Sequence, residues 1–244
     1  SFSYANTREG ERKQQLLNIS LTVQAGESIG IIGPVGSGKS TLAALIPRMY
    51  VPPRGTLFID DRDVCDWSLN ALRTQIGFVP QESFLFSDKL DANIRFGFER
   101  ASDELTMQAS KLAALDKDVR DFRDGYKTIV GERGITLSGG QKQRMSIARA
   151  LLIDPSIIVF DDATSALDTE TDAQIKSGLR ETLKGRTSII ISHRISSIQN
   201  CDRIYYLDSG RITESGSHSA LVQSGGAYAE LSRMQSLEHD LEQA

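Results

Sequence analysis

The stretch Gly33-Pro34-Val35-Gly36-Ser37-Gly38-Lys39-Ser40-Thr41 constrains the fold of this 244-residue chain more than any other. It fits the pattern G-x-x-x-x-G-K-[ST]. An apolar, strand-like run (Ser28-Ile29-Gly30-Ile31-Ile32) precedes it and a helix-like run (Leu42-Ala43-Ala44-Leu45-Ile46) follows it. A strand that turns through glycines into a helix is the scaffold of a phosphate-binding loop. Gly33, Gly36 and Gly38 let successive backbone N–H groups converge on phosphate oxygens without a Cβ in the way. Lys39 adds a point charge, Ser40 a hydroxyl for Mg²⁺, and the helix start its positive dipole end. Pro34, Val35, Ser37 and Thr41 complete the candidate contacts to a nucleotide. A merely structural glycine-rich turn would not demand the strand before it and the helix after it.

The pattern around this loop is that of an α/β chain. Residues 16–23 alternate as a half-buried strand would, and residues 55–60 and 76–79 read as further strands. From Asp88 to Ile153 the reading turns helical, with residues 105–115 and 141–152 apolar at three- and four-residue spacing. Pro155 ends that region. Strands return at 157–160, 187–191 and 203–207, separated by a helix from about 169 to 183, and their continuous apolar runs suit a parallel sheet covered on both faces. The expected organisation is one domain over 1–244, with a β-rich core at 1–87 and 154–227. A helical subdomain at 88–153 and a polar, amphipathic C-terminal helix at 228–244 complete it.

With 39% apolar residues the chain can bury a substantial core. A net charge of −4 with interspersed signs offers no basic footprint, so no nucleic-acid partner is expected. No apolar run approaches the roughly 20 residues of a membrane-spanning helix, and no signal-peptide pattern is evident. The expectation is a soluble protein or the cytosolic part of something larger. Cys65 and Cys201 lack metal-ligand spacing and are expected to be reduced and buried.

The run Ile157-Ile158-Val159-Phe160-Asp161-Asp162 delivers carboxylates at the C-terminal edge of a buried strand, where open α/β sheets bind ligands. Asp161 is the expected Mg²⁺ partner, through water. A solvated turn would also place acids there, but it would not call for Lys39 and Ser40 upstream.

Taken with Leu137-Ser138-Gly139-Gly140-Gln141, Ser165-Ala166-Leu167-Asp168 and Ser192-His193-Arg194, these residues resemble the nucleotide-binding domain of an ATP-binding cassette (ABC) transporter. The resemblance covers nearly the whole chain. It implies a RecA-like phosphate-loop core with an N-terminal antiparallel β region and an inserted α-helical subdomain. It also implies two such domains sandwiching two ATPs head to tail. Each ATP then lies between one chain's phosphate loop and the other's Ser138, Gly139, Gly140 and Gln141, which open a helix toward the γ-phosphate.

By the same resemblance Tyr4 matches the aromatic on which adenine stacks. Gln81 matches the loop that touches Mg²⁺ and the attacking water, and His193 the switch histidine at the γ-phosphate. Asp168 matches the loop that crosses to the partner. Residues 128–134, around Glu132, resemble the segment that in exporters meets the coupling helices of the membrane domain, which places the chain on the cytoplasmic side of a membrane.

One position departs from the family. Where its general base is normally Glu, this chain has Asp162, one methylene shorter, and a base must stand about 2.6 to 3.2 Å from the water it polarises. Slow hydrolysis at the chain's own loop is therefore expected, as in one half of a heterodimeric multidrug-type exporter whose mate supplies Glu. A fully active homodimer, or a soluble cassette acting on ribosomes or DNA, are the alternatives.

Overall fold

The apolar run at 28–32 becomes the strand around which the first part of the chain is laid. The computed structural model describes residues 1–4, 14–163, 183 and 185–242. It divides the chain into two compact units, Ser1–Leu72 with Ile189–Ala244, and Arg73–Ser188.

In the first unit β1 (Phe2–Ser3) pairs antiparallel with β2 (Gln14–Leu16). The alternation at 16–23 does not extend this strand: Asn18 stands at φ 49, in the left-handed region, which breaks an extended run. Next, β3 (Ser28–Ile32) is buried over nearly all its length and leads through the glycine loop into α1 (Lys39–Leu45). The strand expected at 55–60 shrinks to β4 (Phe58–Ile59), which pairs with β5 (Arg62–Asp63). Asp60 and Asp61 between them both have positive φ, the geometry of a two-residue hairpin turn whose twist matches its strands. The short helix α2 (Leu69–Arg73) closes this stretch. Cys65 is only partly buried, contrary to expectation, because it lies in the short helical turn Val64–Asp66, where Val64 takes the inward position; Cys201 is buried, and neither cysteine forms a disulfide.

In the second unit β6 (Ile76–Val79) pairs in parallel with β7 (Ile157–Asp161), Ile76 opposite Ile157 and Val79 opposite Phe160. Between them the chain forms α3 (Leu90–Ile94), α4 (Asp103–Leu112), α5 (Asp116–Asp121) and α6 (Gly139–Leu152). Helix α4 starts where Ser102 accepts the Leu105 N–H and Asp103 and Glu104 face the positive helix end. The apolar side of α6, with Met145, Ile147 and Ala148 fully buried, packs on α4 and on β6. There the fit is close enough that a Cβ on Gly77 would stand 2.7 Å from the Ala150 carbonyl oxygen. The helix expected near 169–183 lies, apart from Leu183, outside the described residues.

Strand β8 (Thr187–Ile191) carries the chain back into the first unit, where α7 (Ile195–Ile198), β9 (Arg203–Asp208), β10 (Arg211–Gly216), α8 (His218–Ser224) and α9 (Ala227–Glu242) follow. The strand order here is β10-β9-β3, with β9 parallel to β3 and antiparallel to β10. The core of this unit joins Ile32, Ile195, Ile198, Ile204, Leu221 and Tyr228. Burial pushes the Tyr228 phenol up to about 12, so it stays neutral and shares a 2.8 Å hydrogen bond with Nδ1 of His218. Among the described residues no helix is long and apolar enough to cross a membrane.

Candidate functional site

The glycine loop is braced against β9 and the β9–β10 turn. At Gly33, with φ 150, an added Cβ would stand 1.9 Å from the Leu207 carbonyl oxygen, so backbone presses on backbone and no side chain fits. The turn holds the loop in place, the Gly210 N–H donating to the Ser37 carbonyl at 3.0 Å while the Ser37 N–H donates to Pro34 O at 3.2 Å. Gly38, at φ 105, is the N-cap of α1 and makes no side-chain cap bond to the first turn, whose backbone carries the positive end of the helix dipole.

Lys39 folds back over this cradle. Its Nζ donates to Gly33 O at 2.7 Å, to Pro34 O at 2.8 Å and to Ser37 Oγ at 3.4 Å, so the ammonium is held at the loop by neutral acceptors. A phosphate oxygen that takes their place offers a charged acceptor and a stronger bond. The cradle therefore fits a phosphate chain in shape and in charge.

Tyr4 is tied to the same helix, its hydroxyl sharing a 2.8 Å hydrogen bond with Thr41 Oγ1. Its ring meets Phe2 and Tyr50 edge to face, with centroids 5.2 and 4.9 Å away. Tyr50 was not picked out in the sequence, although an aromatic five residues past the end of α1 was the available signal. His193, exposed at the end of β8, belongs to this unit as well. Tyr4, the loop from Gly33 to Thr41, and His193 thus all belong to the first unit.

The second unit carries the other candidates. Asp161 ends β7 and Asp162 follows it; they are 7% and 9% exposed. Asp162 stands at φ 50, a left-handed conformation that Asp and Asn tolerate better than longer side chains because their short polar groups bond locally. Gln81 is exposed just after β6. Asp168 lies outside the described residues.

Ser138 is the N-cap of α6 and forms a complete capping box with Gln141. Ser138 Oγ accepts from Gln141 N at 3.3 Å, and Gln141 Oε1 accepts from Ser138 N at 3.0 Å. The other end of the Gln141 amide donates to Asp118, which also takes both arms of Arg144 at 2.8 Å. Asp118 was missed because nothing in its local sequence marks it; its partners lie 23 and 26 residues away. The result is a rigid helix start on which Ser138 and Gly139 remain exposed.

A patch of exposed aromatics was missed too. Phe84, Phe86 and Phe96 contact one another with centroids 5.0 and 4.3 Å apart, and the Asn93 side chain holds the loop by accepting from Phe86 N and donating to Phe86 O. Clustered exposed apolar rings of this kind mark interaction surfaces.

Residues 16–165 match the family profile described as "ABC transporter". The chain is 48% identical over 220 residues to an uncharacterized ABC transporter ATP-binding protein, YwjA, of Bacillus subtilis, which covers 90% of this chain and 38% of that protein. It is 43% identical over 221 residues to an ATP-dependent lipid A-core flippase of Alkalilimnicola ehrlichii, covering 90% of this chain and 38% of the flippase. Among solved structures it is similar to a bacterial Atm1-family ABC exporter with ATP bound, at 44% identity and a TM-score of 0.87, over 91% of this chain and 39% of that one. The chain spans about two fifths of the length of the curated relatives it matches.

Proposed function

The chain belongs to the ABC transporter family, with a mixed α/β, RecA-like phosphate-loop core, and on that footing we propose that it is the ATP-driven motor of a membrane exporter on the cytoplasmic face. It works as one of two cassettes that close head to tail on ATP. The observation that carries this reading is the exposed, capped start of α6, a second helix N-terminus in a chain that already has a phosphate loop of its own. An anion site of that kind is of use to a neighbouring cassette.

The roles follow residue by residue. Tyr4 stacks on adenine, and the loop from Gly33 to Thr41 holds the phosphates with Lys39 at their negative oxygens. Ser40 would offer its hydroxyl, and Gln81 and Asp161 their amide and carboxylate oxygens, to Mg²⁺, hard oxygen donors of the kind this ion takes. When bound, Mg²⁺ neutralises charge on the β- and γ-phosphates. His193 donates to the γ-phosphate, and Asp162 orients the water that attacks in line. Ser138, Gly139, Gly140 and Gln141 cap the partner's ATP, and Asp168 reaches toward that partner. The helical subdomain at 88–153 carries this capping segment. The membrane domain's coupling helices dock near Gln81 and Glu132, a reading supported by the exposed Phe84 and Phe86 shortly after Gln81 in sequence and by Phe96, which packs on Phe86. Expected in light scattering is pairing of the chain, with itself or with a companion cassette, when Mg-ATP is added; a mass that never changes refutes the sandwich.

Asp162 sets the rate. Its carboxylate falls about one bond short of the water, so the chain binds ATP well and hydrolyses it slowly, and the companion cassette supplies the competent Glu. Asp162→Glu is expected to raise steady-state phosphate release about tenfold. At φ 50 the longer side chain costs stability, on the order of 1 kcal/mol or less. Unchanged release from a variant that still binds ATP would sink the reach-limited base.

A further inference from the structure

We propose that Gln235, on α9, is a positioning residue for His193, so that the last helix belongs to the hydrolytic apparatus. This rests on the reading of His193 as the γ-phosphate contact.

The segment that carries His193 leaves β8 at Ser192, whose N–H donates to Ile31 O at 3.1 Å, and enters α7 at Ile195. Within it the Arg194 N–H donates to Ser192 Oγ at 2.9 Å. The side-chain amide of Gln235 takes the two backbone groups that flank this turn. Its Nε2 donates to His193 O at 2.6 Å, and its Oε1 accepts from Ile195 N at 2.8 Å. One amide thus satisfies a carbonyl and the N–H two residues later, the service a neighbouring strand would provide. Helix α7 has no side-chain cap from Arg194, its own N-cap residue, so Gln235 supplies from outside an acceptor for its first-turn N–H.

The core fixes where Gln235 can stand. Tyr228 is fully buried, and Leu231 packs on the cluster that contains Ile195 and Ile198. Gln235 lies four residues beyond Leu231 and so projects from the same face of the helix. The helix is therefore held by the residues that follow His193, and its amide grips the histidine's own carbonyl. A displacement of about 1 Å at a catalytic group costs on the order of a hundredfold in rate, so a brace on this backbone bears directly on the position of the imidazole.

Two substitutions separate positioning from simple capping. Gln235→Met removes both bonds at nearly constant length. Gln235→Glu keeps the acceptor for Ile195 N but sets a carboxylate oxygen against His193 O. If Gln235 positions His193, both variants lose about tenfold in kcat for Mg-ATP, with KM within about twofold of the original and thermal midpoints within a few degrees. If Gln235 only caps α7, the Glu variant keeps its turnover and the proposal falls. It falls too if both variants keep full turnover, or if kcat, KM and thermal midpoint all decline together.

Ring signals provide a readout independent of turnover. The chain has three histidines, so His193→Gln identifies the His193 resonances by difference. They are expected to shift when Mg-ATP binds the original chain and to broaden without that shift in both variants. Equal shifts in the original chain and the variants overturn the role of Gln235. Absence of a shift in the original chain overturns the role of His193 itself, a separate failure.

Discussion

Lys39→Ala is expected to lower ATP hydrolysis at this chain's loop by about a thousandfold and to weaken nucleotide binding by one to two orders of magnitude. The ammonium already stands among Gly33 O, Pro34 O and Ser37 Oγ, so it is in place before phosphate arrives and little reorganisation is needed. Charge-assisted bonds contribute roughly 1.5 to 3 kcal/mol each, and two that strengthen as negative charge builds on the leaving oxygens account for a factor of that size. The fold should survive, because the loop stays anchored by Gly210 N to Ser37 O and by Ser37 N to Pro34 O. Phosphate release and nucleotide titration on the same preparation check the prediction. Turnover within tenfold of the original would mean that the phosphates lie elsewhere. Lys39→Arg is no rescue, since a planar guanidinium does not fit the three acceptors that surround a compact ammonium.

Ser138→Arg is expected to abolish hydrolysis at the companion cassette's site while leaving ATP binding at this chain's own loop intact. The substitution removes the Oγ that accepts from Gln141 N and sets a cation at the positive end of α6, where an anion belongs. Loss of the cap costs about 1 kcal/mol. That is too little to unfold a helix whose Met145, Ile147 and Ala148 are fully buried and whose Arg144 is paired with Asp118. The measurement is phosphate release from the mixed complex, beside nucleotide titration of each cassette. Full activity at the companion's site would refute donation of this helix end in trans.

Much of the fold was legible because it follows from short-range rules. Continuous apolar runs at 76–79, 157–160, 187–191 and 203–207 became strands with bounds close to those expected, and the 141–152 periodicity became α6. The run at 16–23 did not, since alternation says nothing about a left-handed residue such as Asn18, and the run at 55–60 was cut by a turn at Asp60 and Asp61. The glycine loop was legible for the same local reason as the strands.

The sequence alone determined the glycine loop between strand and helix, the alternation of strand and helix and the helix start at Ser138, because each depends on residues within a few positions of one another. Tertiary structure alone decided that Asp118 steadies the start of α6, that Tyr4 bonds Thr41 from 37 residues away, and that Gln235 grips His193 across 42. Such pairs are chosen by which buried faces pack together. Packing is a property of the whole core, and no local pattern of charge or hydrophobicity encodes which polar atoms it will bring within 3 Å.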